Sequence, residues 1–198
     1  MNTFTAKETL PDGYAEAEKI DLVKNRKQML LVNGLAVLLA LVVFAIGVVI
    51  QPAGAAAIID FESQAFAIAL KCLIIAVGIV VYIVGHEAVH GIFMWHYSHI
   101  KPHFGLSLTY AYAGSEVYFG KNAYLAIALA PVTLWFVLLG VLSLVLPAEW
   151  FWVVWVIQLM NISGAAGDLF VFVHMLKKPD TVLVQDTGTA MTVFLPKA

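Results

Sequence analysis

Four long apolar segments dominate the pattern of hydrophobic and polar positions along the chain. Each is longer than the roughly 20 residues that a helix needs to cross the hydrocarbon core of a bilayer. The pattern therefore predicts an all-α membrane protein, with four transmembrane helices in a domain over residues 29–178. The segments run from Met29 to Ile50, from Ala65 to about Trp95, from Asn122 to Leu146 and from Phe151 to Leu176.

The pattern changes between the second and third segments. Apolar residues at the even positions from Phe104 to Tyr112 alternate with small or polar residues at the odd positions. Alternation with a period of two is typical of a β-strand. We interpret residues 113–115 as a turn and residues 116–119 as the returning strand. The sequence thus predicts a membrane-associated β-hairpin between the second and third helices.

The two ends of the chain are more polar. Residues 1–28 carry mixed charges and predict a cytoplasmic N-terminal segment, in which residues 15–28 favour a short surface helix. In the tail, two short apolar runs surround Gly188, which predicts a short C-terminal β-hairpin. This hairpin would lie in a cytoplasmic segment over residues 179–198. Residues 51–64 are predicted to form a short connection on the outer side.

Composition narrows the class of protein further. With 62% hydrophobic residues, the chain is unlike a soluble domain. A net charge of −2 gives no indication of nucleic acid binding. The single cysteine, Cys72, excludes an internal disulfide and a four-cysteine metal site.

The basic residues indicate how the helices are oriented. If there are four spans, only Lys71 among the eleven Lys and Arg residues falls on one side of the membrane. Because basic residues concentrate in cytoplasmic loops, both termini are predicted to lie in the cytoplasm. The residues on the cytoplasmic side are Lys7, Lys19, Lys24, Arg26, Lys27, Lys101, Lys121, Lys177, Lys178 and Lys197.

The second apolar segment is interrupted by the motif His86-Glu87-Ala88-Val89-His90. Residues four apart share one face of a helix, so His86 and His90 can bind one metal ion together. The carboxylate of Glu87 is then close enough to take a proton from water at the metal. A carboxylate inside a membrane helix costs about 3 kcal/mol, which argues against a chance occurrence. We therefore predict a zinc site with Glu87 as the general base.

A catalytic zinc ion usually has three protein ligands and one open position. If the second helix ends near Tyr97, the two histidines lie about 10–16 Å from the inner edge of the membrane. If the fourth helix ends near Lys177, Asp168 lies at a depth of about 13 Å. Because these depths agree and a buried charge needs a partner, Asp168 is predicted to be the third ligand.

Other side chains remain candidates for the third ligand. Three of these candidates, His96, His99 and His103, cluster near the inner interface, where they could form an accessory metal site. Asn161 lies two turns before Asp168 on the same helix face, at a depth of about 24 Å that is too great for direct contact with the ion. The candidates that compete with Asp168 for the role of third ligand are Glu116, His96, His99, His103 and His174.

These residues resemble the zincin peptidase family of small bacterial multi-span membrane proteins, which is distantly similar to the site-two proteases. The resemblance is most specific from His86 to Gly91 and over Asn161-Ile162-Ser163-Gly164-Ala165-Ala166-Gly167-Asp168. Shorter matches at residues 10–14, 128–131 and 184–188 extend it over nearly the whole chain. It implies a multi-pass protein of the bacterial cytoplasmic membrane, with its active site towards the cytoplasm.

The resemblance also implies a set of roles. By position, His86, His90 and Asp168 would bind Zn²⁺, and Glu87 would be the general base. Asn161 would be a catalytic-site residue that binds the substrate backbone or orients Asp168. The implied activity is the hydrolysis of peptide bonds by a zinc-activated water. The partners would then be the lipid bilayer and a membrane-associated protein or peptide substrate.

Two other functions agree with the sequence. The metal could hold two helices together in a non-catalytic binding or scaffold protein, or a zinc hydrolase could act on a lipid or a small amide. A structural zinc site has a closed ligand shell and needs no neighbouring carboxylate. The presence of Glu87 therefore favours an enzyme.

Reporter fusions test the predicted orientation. A reporter fused at residue 148, after the third span, should lie outside the cytoplasm, and one fused after Lys178 should lie inside it. Alkaline phosphatase and green fluorescent protein, which are active on opposite sides of a bacterial membrane, provide the measurement. A cytoplasmic signal at residue 148 would contradict the orientation.

Overall fold

The computed structural model of the chain describes residues 5–21, 24–52, 65–106 and 111–197. The described residues are mostly helical, and the long helices begin and end close to the predicted bounds. A short 3₁₀ turn, Ala148–Trp150, precedes the fourth helix. The helices are α1 Arg26–Ile50, α2 Ala65–Ser98, α3 Lys121–Val145, α4 Phe151–Gly164 and α5 Ala166–Leu176.

Helices α1, α2 and α3 are each long and apolar enough to cross a membrane. Helices α4 and α5 reach that length only as a pair, because the helix is interrupted at Ala165. The described residues therefore contain three helices that could span a membrane, or four if the pair forms one span. The prediction of long apolar helices is confirmed, and the four-span topology and its orientation stay a prediction. Most of the predicted 51–64 connection, from residue 53 on, lies outside the described residues.

The described strands form one antiparallel sheet. Its order is β1-β4-β5-β6-β2, and β3 pairs with the N-terminal half of β4. Strands from both ends of the chain thus join the strands between α2 and α3. The strands are β1 Ala6–Lys7, β2 Tyr14–Ile20, β3 His103–Leu106, β4 Ala111–Gly120, β5 Leu183–Asp186 and β6 Met191–Pro196.

Both predicted hairpins are present, and one predicted turn is wrong. The C-terminal hairpin is β5 paired with β6, on either side of Gly188 at a positive φ of 77°. In the other hairpin, residues 113–115 lie inside β4 rather than in a turn, since Gly114 pairs with His103 and Ala111 pairs with Leu106. The connection between β3 and β4, residues 107–110, lies outside the described residues.

The predicted surface helix over residues 15–28 is also wrong. Residues Tyr14–Ile20 form β2, which pairs with β6, and α1 begins at Arg26. The run of alanine and charged residues is compatible with a helix, but pairing with β6 satisfies the backbone and buries Ile20 to 2% exposure. Glu18 of this strand accepts hydrogen bonds from Lys178, at 2.6 Å, and from His174, at 2.9 Å.

The chain divides into two compact units. One unit comprises Met1–Val32, Gly85–Pro131 and Gly167–Ala198, and it contains the whole sheet. Its core is formed by side chains of the sheet, of α2, α3 and α5, and of the neighbouring Val182: Ile20, Met94, Val117, Phe119, Ala123, Tyr124, Ile127, Val171, Met175, Val182, Val184, Met191 and Val193.

The other unit comprises Asn33–Val84 and Val132–Ala166. Within it, tryptophan side chains donate hydrogen bonds to helix backbone, as Trp155 does to the carbonyl of Val43 at 2.9 Å. Gly47 contacts the Trp155 ring so closely that a Cβ atom would overlap it. Small residues at such contacts let apolar helices approach one another.

Candidate metal centre

Helix α2 places the two histidines of the motif one turn apart. His86 and His90 are 7% and 9% exposed, and their ring centroids are 4.9 Å apart. Two imidazoles this close and this well buried need polar partners, because the surrounding side chains are largely apolar.

Asp168 provides such a partner to both rings. Its Oδ2 atom lies 3.1 Å from Nε2 of His86 and 3.6 Å from Nε2 of His90. Asp168 is in the first turn of α5, where a negative charge is favoured by the helix dipole. Its side chain is 28% exposed, so it is partly buried beside the two rings. The structure thus brings together the three residues predicted to be metal ligands.

The geometry of these three side chains fits a zinc ion. Their ligand atoms all lie within 4.8 Å of one another, and two imidazole nitrogens with one carboxylate oxygen form a typical donor set for catalytic zinc. Tetrahedral ligands at zinc distances lie about 3.4 Å apart. The observed separations of 3.1 and 3.6 Å lie on either side of that value. Three protein ligands would leave one coordination position open.

Glu87 is held beside this group by the sheet. Its Oε2 atom accepts a hydrogen bond from the backbone N–H of Ala113, at 2.9 Å, and the side chain is partly buried. Ala113 is in β4, so the strand determines where the carboxylate lies. Gly91 supports the approach of the sheet, because a Cβ atom there would overlap the ring of Phe104 in β3.

His90 makes a second contact that side-chain patterns cannot reveal. Its Nδ1 atom lies 3.0 Å from the backbone carbonyl of Ile127 in α3. A hydrogen bond on the ring nitrogen that faces away from the metal is usual for metal-binding histidines and orients the ring. Backbone groups of Ile127 and Ala113 therefore belong to the site, and neither is marked by a polar side chain.

A second buried polar pair lies in the same unit. The hydroxyl of Tyr124 donates to Oδ2 of Asp186 at 2.5 Å, and the N–H of Gly188 donates to Oδ1 at 2.8 Å. Burial raises the pKa of Asp186 above its ordinary range, and the bond from Tyr124 offsets part of this rise. Neither residue was predicted to take part in the site, although Asp186 lies in the matched segment 184–188.

The other candidate ligands have different surroundings. Glu116 is exposed and accepts a bond from Gln185, at 3.3 Å. His174 bonds to Glu18, and Nε2 of His103 lies 3.3 Å from the carbonyl of Thr187. Within the described ranges, only His86, His90 and Asp168 form a group of three potential ligands this close together, so His96 and His99 belong to no such group.

Asn161 lies in α4, in the other unit. It is fully buried, and its Nδ2 atom donates to the carbonyl of Val132 at 3.1 Å. Its Oδ1 atom has no hydrogen-bond partner among the described residues. The catalytic role predicted for Asn161 stays a prediction.

The site therefore brings together two histidines and an aspartate that could hold a metal ion, and one family comparison gives a match. Residues 78–183 match the model of the family described as "Putative zincin peptidase", and this match covers more than half of the chain. The chain belongs to that family. Comparisons with curated proteins and with solved structures find no match. The similarity to site-two proteases stays a prediction.

The metal content of the purified protein tests the centre. We expect about one zinc ion per chain, as in other three-ligand sites. His86→Ala and Asp168→Ala each remove a ligand and should lose most of the metal. Elemental analysis of the protein in detergent provides the measurement.

His174→Ala is the matched control, because this histidine pairs with Glu18 and should not affect zinc. Equal zinc content in all variants would contradict the centre. Loss in His86→Ala but retention in Asp168→Ala would contradict the role of Asp168 alone.

Proposed function

We propose that the protein is an intramembrane zinc metallopeptidase that hydrolyses peptide bonds of membrane-associated substrates. The observation that carries the proposal is the position of Glu87. Its carboxylate is held by Ala113 beside three side chains whose donor atoms fit zinc. A non-catalytic metal site would not need this carboxylate. Family membership supports the same class of reaction.

His86, His90 and Asp168 would hold the ion. When bound, zinc acidifies a coordinated water and polarises the carbonyl group of the scissile bond. The pairing of one carboxylate with two neutral imidazoles keeps the ligand set at a single negative charge, which leaves a bound dication strongly electrophilic.

Glu87 performs the proton transfers. It removes a proton from water as the water oxygen forms a bond to the scissile carbon. It then delivers that proton to the amide nitrogen as the C–N bond breaks, so the products are a carboxylic acid and an amine. The bond from Ala113 keeps the carboxylate in one orientation during both transfers.

The sheet offers a means of holding the substrate. A peptide bond inside a helix is shielded, so a substrate segment must be extended before it is cut. Ala113 pairs with Phe104 of β3, yet its N–H points to Glu87 rather than to β3. An extended segment that added to the β3–β4 hairpin would therefore have its backbone close to the general base.

Asn161 is proposed to assist by binding the substrate backbone or by orienting Asp168. A fully buried amide group whose Oδ1 atom has no partner in the described part of the chain is costly, and such groups often serve a function. Its Nδ2 bond to Val132 fixes the direction of the side chain.

The proposed location is the bacterial cytoplasmic membrane, with four spans and both termini inside. The distribution of basic residues supports this orientation. In this arrangement, the N-terminal and C-terminal segments, which contribute β1, β2, β5 and β6, lie on the cytoplasmic side together with the active site.

The variant Glu87→Gln tests the chemistry. Glutamine keeps the size of the side chain but cannot accept the proton, so turnover should fall by about 100-fold or more. Zinc content should stay at the wild-type level. The probe is a set of single-span peptides in proteoliposomes, with cleavage products identified by mass spectrometry.

Glu116→Gln is the control, since Glu116 is an exposed glutamate of β4. It should cleave the peptides at the wild-type rate. Full turnover by Glu87→Gln would rule out the proposed mechanism. Zinc-loaded wild-type protein that cleaves none of the peptides would favour a structural metal instead.

A further inference from the structure

The backbone carbonyl of Ile127, which accepts the hydrogen bond from His90, lies one turn before a proline in α3. In a regular helix, the carbonyl of residue 127 accepts the N–H of residue 131, four positions on. Residue 131 is proline, and it lies inside the helix. Proline has no N–H, and its ring pushes away the carbonyl four positions earlier. The Ile127 carbonyl is therefore left without its helical donor.

His90 supplies the missing donor. Its Nδ1 atom is 3.0 Å from the Ile127 oxygen, an ordinary hydrogen-bond distance. Ile127 is 1% exposed and Pro131 is also fully buried, so water cannot easily replace this donor. An unpaired carbonyl among apolar helices is costly, which makes the bond favourable for α3 as well as for His90.

The bond also decides the tautomer of His90. A carbonyl oxygen can only accept, so Nδ1 must carry the proton. In the neutral ring, Nε2 then has a free lone pair. Nε2 is the atom that lies 3.6 Å from Asp168, on the side of the candidate metal centre.

We propose that Pro131 is a positioning residue for the metal centre. By withholding a helical N–H, it frees the Ile127 carbonyl to orient the ring of His90 and to keep the Nε2 lone pair directed at the ion. This inference rests on the metal centre of the proposed function. It gives the proline a role beyond the shape of α3.

The test restores the missing donor. In Pro131→Ala, the new N–H can bond to Ile127, so the carbonyl is drawn into the helix and His90 is released. We expect the affinity for Zn²⁺ to fall by about tenfold or more, as is usual when an outer partner of a metal-binding histidine is lost. Competition between the full-length protein in detergent and a chromophoric chelator measures this affinity.

Two further variants separate positioning from general effects on folding. Pro131→Gly also restores an N–H and should weaken zinc binding in the same way. Pro147→Ala makes the same chemical change at an exposed proline before the 3₁₀ turn and should bind zinc like the wild type. Size-exclusion chromatography and thermal unfolding show whether each variant is folded.

A spectroscopic measurement adds a readout that depends on ligand geometry. The visible bands of bound Co²⁺ report the arrangement of the ligands around the ion, which a loss of stability alone does not change. Pro131→Ala should shift these bands, and Pro147→Ala should not.

The outcomes are distinct. Weaker zinc binding and shifted Co²⁺ bands in both Pro131 variants would support the proposal. Wild-type affinity and wild-type bands in a folded Pro131→Ala protein would overturn it and leave the proposed function intact. A wild-type protein that binds neither Zn²⁺ nor Co²⁺ would overturn the metal centre, and the role of Pro131 with it.

Discussion

A charged side chain among apolar helices has to be compensated by a partner within the protein. Asp168 meets this requirement through His86 and His90, whose ring nitrogens lie 3.1 and 3.6 Å from its carboxylate. The same three side chains carry donor atoms at separations that suit a zinc ion. The same arrangement thus compensates the charge of Asp168 and brings together the candidate metal ligands. The surrounding helices and strands hold these side chains in place.

Backbone groups of neighbouring elements orient two of the side chains at the centre. The N–H of Ala113 directs Glu87, and the carbonyl of Ile127 directs His90. Ala113 belongs to a sheet that is completed by strands from both ends of the chain, so the terminal segments contribute to the site although neither contains a predicted ligand. This arrangement places the proposed general base against a strand rather than a loop, and side chains supported by regular elements are held more precisely.

The sequence alone predicted the apolar helices, both hairpins and the three residues that meet at the centre. Hydrophobic length reveals a membrane helix, and a buried carboxylate or imidazole is conspicuous within it. The sheet was harder to foresee, because β2 has an alanine-rich and charged sequence that also suits a helix. The roles of Ala113 and Ile127 could not be predicted from the pattern of side chains, because both residues act through backbone groups. Only Pro131, four residues after Ile127, indicates a backbone carbonyl that lacks its helical donor.

The proposed mechanism requires His86, His90 and Asp168 to bind one zinc ion together. X-ray absorption spectroscopy at the zinc edge, on the zinc-loaded protein in detergent, measures the ligands of this ion. We expect two imidazole ligands and further oxygen ligands at about 2.0–2.1 Å. A spectrum without imidazole scattering, or with three or more imidazoles around the ion, would contradict it.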